Sequence, residues 1–390
     1  MSRFRILHLL QDWLFTDGTV SIFKTMPVEN RFVVLNDGTE LKKVKSSDDV
    51  EVVQIGSERY NDLLKPGQWD VVWVFGVTVN EAEFVKRLDR SVAVVWSVYG
   101  IDYVDFSGHW LYGLETTKLM FRITPFKGVI KSLAAYVLAC LHLIKFVPRW
   151  NCRFFKRVDY FSCVVPTEES WIRRVIGSRK EVKRVDFHYT SATADEMHYP
   201  VADLKASRIW VGNSATLTNN HLEVFAKING TEKNISYDIL VPLSYSRNGE
   251  KENEVTRAIL EAGERNFGER FKPIRKLMGL KEYVKLMSSC SVFIFGHRRQ
   301  QSVGNVLIAL KCGGCVFLDP RNPVYRYFLS YGVIVYPISR IKEGVENIAK
   351  EFMPFQQANI KLVNELRDNE KLMQEIRDTV SFLEREVGKK

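Results

Sequence analysis

Short apolar runs alternate with amphipathic stretches along the chain, and that alternation predicts its elements. FRILHLL, RFVVLN, VEVVQI, DVVWVF, VAVVWSV and FSCVVP are six strand candidates in the first half. Several are apolar at successive positions, as parallel strands buried on both faces must be. EAEFVKRLDR, between the fourth and fifth, has helical spacing. The second half starts afresh: RIWVGN, SYDILVP, SVFIFG, CVFLD and GVIVYP read as strands, with NHLEVFAKI, NEVTRAILEAG and LKEYVKLMSS as helices between them. After SVFIF comes the loop GHRRQQ, then a helix from Ser302 on Val303, Val306, Leu307 and Leu310, closed by Gly313 and Gly314. Roughly Glu343 to Val387 is helical and charged, with an apolar stripe that needs covering.

The pattern predicts an α/β protein with two Rossmann-like parallel-sheet domains in series. Residues 1–195 form the first and 205–340 the second, while 341–390 are helices that can pack back on the N-terminal domain. A length of 390 residues agrees, being too long for one ordinary core. The start, SRFRILHLL, reads as a strand and not as a secretory signal.

Six cysteines in a chain this size make no disulfide framework. Cys312 and Cys315 form a lone CxxC, better read as small buried residues than as a zinc or redox site. Net charge is +10, unevenly placed, with no Asp or Glu from Thr116 to Val158. Within that stretch GVIKSLAAYVLACLHLIKFV is the most hydrophobic segment of the chain. Between Lys131 and Lys145 lie 13 uncharged residues. As a helix these span about 20 Å, short of a bilayer core of about 30 Å. The segment reads as a helix lying in an anionic membrane surface, through Lys127, Lys131, Leu138, Leu141, Lys145, Arg149, Arg153 and Lys156. A buried core helix with a basic rim is the other reading. Nucleic acid fits worse, since a groove binder rarely sets its bases beside so apolar a run. The location expected is cytoplasmic, peripheral on the inner face of the cell membrane.

Open α/β sheets bind ligands at the carboxyl ends of their strands. In the second domain those loops hold Asn213 and Ser214, then Tyr245, then His297, Arg298, Arg299, Gln301, Ser302, Gly304 and Asn305, then Asn322. Two arginines before a helix start suit a diphosphate, because the start carries free N–H groups and partial positive charge. Turn-forming and helix-capping roles remain open for the Asn and Ser residues. In the first domain Asp12 follows the first strand, and Gly100, Asp102 and Tyr103 follow VAVVWSV. A carboxylate in a cleft can serve as general base, and a turn-making Asp is the alternative. No metal-ligand cluster, Walker motif or G-x-G-x-x-G is present, so neither metal nor cofactor is expected.

The runs WSVYGIDYVD, WVGNSATLTNNHLEVF, FIFGHRRQQSVGN and CVFLDPRNPVY resemble the TDP-N-acetylfucosamine:lipid II N-acetylfucosaminyltransferase family, also called 4-alpha-L-fucosyltransferases. Order and spacing fit over roughly residues 90 to 337. The resemblance implies a metal-independent GT-B glycosyltransferase with two domains facing a cleft. It implies transfer of a deoxy-amino sugar from a dTDP- or UDP-linked donor to a polyprenyl-diphosphate-linked glycan. By the same resemblance Gly100 and Asp102 match the family's Gly-x-Asp, and Asn213 and Ser214 its Gly-Asn-Ser. Gln300, Gln301 and Gly304 match its helix start, and Asn322 with Pro323 its Asn-Pro. The apolar basic segment is longer than the family leads one to expect. Two rivals stand beside this reading: a catalytically silent membrane-surface protein that binds a nucleotide sugar, and a nucleotide-sugar 2-epimerase.

Overall fold

The structure is a computed structural model. It describes residues 4–13, 15–36, 39–44, 48–103, 109–124, 130, 133–134, 137, 151–177, 181–187, 198–231, 237–244 and 254–388. The chain divides into two compact units. Unit 1 comprises 1–109, 135–197 and 368–390, and unit 2 comprises 110–134 and 198–367.

Unit 1 is built on a seven-stranded sheet in the order β3-β2-β1-β4-β5-β6-β7. The strands are β1 (Arg5–Leu10), β2 (Glu29–Asn36), β3 (Val50–Gln54), β4 (Val71–Phe75), β5 (Ala93–Val98), β6 (Tyr160–Cys163) and β7 (Lys183–Arg184). All neighbours pair in parallel. Every residue of β4 and β5 is buried, which is why their sequences are apolar without alternation. The helix Val79–Arg87 starts on a reciprocal cap: Thr78 accepts from Asn80 N–H, and Glu81 takes the Thr78 N–H at 2.8 Å.

Unit 2 carries a six-stranded parallel sheet in the order β10-β9-β8-β11-β12-β13. Its strands are β8 (Arg208–Val211), β9 (Asp238–Pro242), β10 (Phe271–Ile274), β11 (Val292–Phe295), β12 (Cys315–Leu318) and β13 (Tyr336–Pro337). The eleven strand candidates of the sequence all correspond to strands. Two were missed: β7 has two exposed residues, and β10, FKPI, carries a proline that masks its pattern.

The units differ from the serial division read from sequence at Trp110–Ala134 and at the first of the C-terminal helices. Trp110–Ala134, including the helix Leu114–Ile123, groups with unit 2. It docks there because Glu223 accepts from the Thr116 N–H at 2.8 Å and Asn220 accepts from the Gly113 N–H at 2.9 Å. The helices Val345–Phe352 and Gln356–Leu366 also belong to unit 2, while Asn369–Val387 belongs to unit 1. In unit 1 that last helix buries Leu372, Ile376, Val380 and Leu383, and Thr379 donates to the Asp186 carbonyl at 2.7 Å.

Among the described residues no helix is long and apolar enough to cross a membrane. Lys127, Lys131, Leu138, Leu141, Lys145 and Arg149 lie outside the described residues. Arg153 and Lys156 are exposed. Arg157, from the same basic run, is instead buried and donates to the carbonyls of Asp89 and Val92 at 3.1 and 3.2 Å. Cys312 and Cys315 are fully buried, and burial pushes the Cys312 thiol up to about 12 and Cys315 higher still.

Candidate functional site

In each sheet the strand order reverses once, between β1 and β4 in unit 1 and between β8 and β11 in unit 2. Loops on either side of such a point diverge and leave a crevice at the carboxyl ends.

In unit 2 the loops after β8 and β11 meet through one hub, Asn219. Its side-chain oxygen accepts the Asn213 N–H at 3.0 Å, and its amide nitrogen donates to the Ser214 carbonyl at 2.9 Å. Both partners are backbone groups of fixed polarity, so the orientation of the Asn219 amide is determined. His297 Nε2 lies 2.7 Å from that same oxygen and 3.1 Å from Asn213 Oδ1, and must therefore be the N–H. Burial, then Arg299 and His221, hold the His297 pKa well below the ordinary imidazole value. A neutral ring with its proton on Nε2 has a bare lone pair at Nδ1, and that buried atom has no partner among the described residues. His221, pushed down to about 3 by burial, likewise has an unpartnered Nε2. Gln301 completes the contact, donating to Asn213 Oδ1 at 3.2 Å and accepting from Thr218 Oγ1 at 2.8 Å.

Ser302 opens the helix Val303–Lys311 in a left-handed conformation, φ 61°, and its buried hydroxyl has no partner among the described residues. A non-glycine residue held there is strained, a condition concentrated at functional sites. Asn322 caps the helix Pro323–Ser330 by accepting the Val324 N–H at 3.0 Å, while its buried amide nitrogen is left over. Ser214 is buried against Asn219 and Thr216. Asn305 accepts from the Tyr283 hydroxyl. Gly304 is exposed with open space around it, so no crowding there demands a glycine. Tyr245 lies outside the described residues.

The arginines divide their work. Arg298 donates to the Tyr112 carbonyl and stands 3.5 Å from Asp319, so it anchors the 110–113 segment. Arg321 pairs with both Asp319 oxygens, at 2.8 and 2.6 Å, with its side chain 58% exposed. Arg299 donates to the Gln300 carbonyl at 2.9 Å. One buried carboxylate facing two arginines leaves the loop ends net positive. Asn219 and His221 were not singled out from sequence. The signal was there in TLTNNH, a wholly polar run between two apolar ones.

In unit 1 Asp102 is 6% exposed. Its Oδ2 accepts from Tyr99 N–H at 3.0 Å and Trp96 Nε1 at 3.2 Å, and its Oδ1 from Val77 N–H at 3.4 Å. Burial outweighs these donors and pushes its pKa up to about 7. Gly100 begins the buried turn that carries it. Tyr103 donates to Glu168, whose carboxyl burial raises to about 8. Asp12 accepts from the N–H groups of Lys42, Lys43 and Val44 at 2.9, 2.8 and 3.0 Å. Partial burial opposes these bonds, but they prevail and hold its carboxyl below the usual range.

The family model described as "4-alpha-L-fucosyltransferase glycosyl transferase group 56" matches residues 178–357, a span that contains every unit 2 residue just described except the 110–113 segment. Over that span the chain is similar to the group 56 glycosyltransferases. Solved structures match over nearly its full length. Sucrose-phosphate synthase from Thermosynechococcus elongatus superposes with a TM-score of 0.63 at 10% identity, covering 98% of this chain and 99% of its own. Anabaena HepE in complex with UDP gives 0.63 at 10%, covering 97% and 100%. The UDP-forming alpha,alpha-trehalose-phosphate synthase from Burkholderia vietnamiensis gives 0.57 at 10%, covering 98% and 100%. At such identity the likeness is one of fold, and that fold is GT-B. No curated protein matches. With that family match and this fold together, the protein is a glycosyltransferase.

Proposed function

We propose that the protein transfers a deoxy-amino sugar, of N-acetylfucosamine type, from a dTDP- or UDP-linked donor to a polyprenyl-diphosphate-linked glycan at the inner face of the cell membrane. The observation that carries the donor part is the set of buried, unpartnered polar atoms around the β8/β11 switch point, on His297, His221, Ser302 and Asn322. Each such atom costs about 1–3 kcal/mol while unpaired, so a ligand that pairs them gains accordingly. Solved neighbours with UDP bound support a nucleotide as the donor's handle. Arg321, with Arg298 behind it and the start of the helix Val303–Lys311, would stabilise the leaving diphosphate without a metal.

Asp102 serves as the general base for the acceptor hydroxyl. At a pKa of about 7 it is a stronger base than an ordinary carboxylate and is still about half ionised at neutral pH. Its three donors leave one lone pair for the acceptor. Gly100, Tyr103 and Asp12 act as positioning residues, because Tyr103 and Asp12 are already bonded within the protein. The membrane and lipid parts rest on the acid-free stretch from Thr116 to Val158 and on the exposed Arg153 and Lys156.

Calorimetry with dTDP and UDP, followed by transfer of labelled sugar into the lipid-extractable fraction, tests the reading. Binding of one nucleotide with transfer is expected. Failure of both nucleotides to bind removes the donor site, and binding without turnover leaves a silent sugar-nucleotide protein. Pelleting with anionic vesicles at low salt and release at high salt is expected for the membrane part.

A further inference from the structure

At the β1/β4 switch point of unit 1, three aromatic rings gather beside a carboxylate. Trp13 and Phe15 follow β1, and Tyr99 follows β5. Their centroids lie 4.9 Å apart for Trp13 and Tyr99, edge to face at 88°, and 5.2 Å apart for the other two pairs. The backbone makes way for them: Gly76 is left-handed, and a Cβ there would sit 2.4 Å from the Trp13 ring. Trp13 and Phe15 are only half-buried, in a protein that buries Trp73, Trp96 and Trp210 completely. Tyr99 is joined to Asp102 by its own N–H.

We propose that Trp13, Phe15 and Tyr99 seat a pyranose ring of the acceptor, its C–H face against the indole and a hydroxyl toward Asp102. The inference rests on the glycosyl-transfer reading and names what the first unit holds. A pyranose presents an apolar face of weakly positive C–H groups, which suits the negative face of an aromatic ring, and a rim of hydroxyls that needs acceptors. Trp13 and Phe15, partly exposed, offer the first and Asp102 the second, while Tyr99, buried at 8% exposure, backs the two rings. A polyprenyl chain has no use for the carboxylate and would be better held by a wholly apolar groove. A diphosphate would meet repulsion from the ionised Asp12 as well.

Saturation-transfer NMR on the full chain decides it, with methyl β-glucopyranoside and methyl N-acetyl-β-glucosaminide as sugar probes, farnesyl phosphate as lipid probe and dTDP or UDP as nucleotide control. A glycoside should receive saturation at its axial ring protons. Trp13→Ala should weaken its binding about two- to tenfold, as loss of one aromatic contact predicts. Phe15→Ala should do likewise should Trp13→Ala not fold, and Trp13→Tyr should recover part of the signal. The nucleotide signal should stay unchanged in all three. Glycoside binding that is absent, or equal in wild type and variants, overturns the proposal. So does farnesyl phosphate binding that the same substitutions abolish, which would make the platform a lipid seat. Loss of nucleotide binding in the wild type would instead strike the donor reading, and the glycoside result would still stand or fall by itself.

Discussion

At the end of β4 the chain leaves its sheet through Gly76, and at the end of β8 through Gly212, both at φ +71°. A Cβ at Gly76 would strike the Trp13 ring at 2.4 Å, whereas one at Gly212 would strike Asn219 Oδ1 and His221 Nε2, each at 2.7 Å. Sheet topology thus opens the same kind of crevice twice, and the side chains decide what each can hold. Around the first lie aromatic rings and carboxyl groups, around the second amides, imidazoles and arginines. Burial acts alike on both. It keeps Asp102 and Glu168 partly protonated and His221 and His297 neutral, so the fixed charge of the second crevice comes from its arginines.

The sharpest way to break this contrast is Asp102→Asn. Transfer should fall by roughly a hundred- to ten-thousand-fold while nucleotide affinity holds. The amide can keep its oxygen toward Tyr99 and Trp96, giving up only the long bond to Val77. Near-normal turnover in a coupled assay would reduce Asp102 to a staple of its turn.

Asn219→Ala should come next. It strands the Asn213 N–H and leaves the His297 N–H only its longer bond to Asn213 Oδ1, for a loss of about 1–3 kcal/mol in unit 2 by denaturant titration and weaker nucleotide binding. An unchanged midpoint with unchanged nucleotide affinity would show that the hub organises nothing.

A smaller effect follows from the raised carboxyls. Between about pH 4 and their folded values of about 7 and 8, Asp102 and Glu168 hold protons in the folded chain that the unfolded chain has released. Stability should therefore fall as pH rises through that window, by at most about 1.4 kcal/mol per pH unit for each group. Urea midpoints at about pH 5 and about pH 8 should differ less in Asp102→Asn and in Glu168→Gln than in wild type. Equal differences would place the titration elsewhere.

The subtlest test concerns His297. Its ¹⁵N spectrum should show a protonated Nε2 and a bare Nδ1 near neutral pH, with Nδ1 shifting when nucleotide or nucleotide sugar is added. A proton on Nδ1 in the free protein would undo the hydrogen-bond assignment.

Strands such as VVWVF and VFIF were legible because burial on both faces leaves an unbroken apolar run, and His297 to Ser302 were legible because a polar loop must follow such a strand. Arg298 shows the limit. Two arginines before a helix advertise an anion site, but the Tyr112 carbonyl that takes up Arg298 lies 186 residues away in sequence, and no local pattern announces it. Asp102 shows another, since its basicity comes from how deeply the finished fold buries it. Trp13 and Phe15 look in sequence like ordinary core aromatics, and only their partial exposure beside Asp102 sets them apart.

The helix Asn369–Val387 has a bearing on biosynthesis. A ribosome releases the unit 1 strands first, then nearly all of unit 2, and only afterwards the helix that covers unit 1 through Leu372, Ile376, Val380 and Leu383. The first unit to be translated is thus the last to be completed. Until that helix arrives, unit 1 exposes the apolar surface it will cover, and a nascent chain halted after unit 2 should be recognised by chaperones through its N-terminal half.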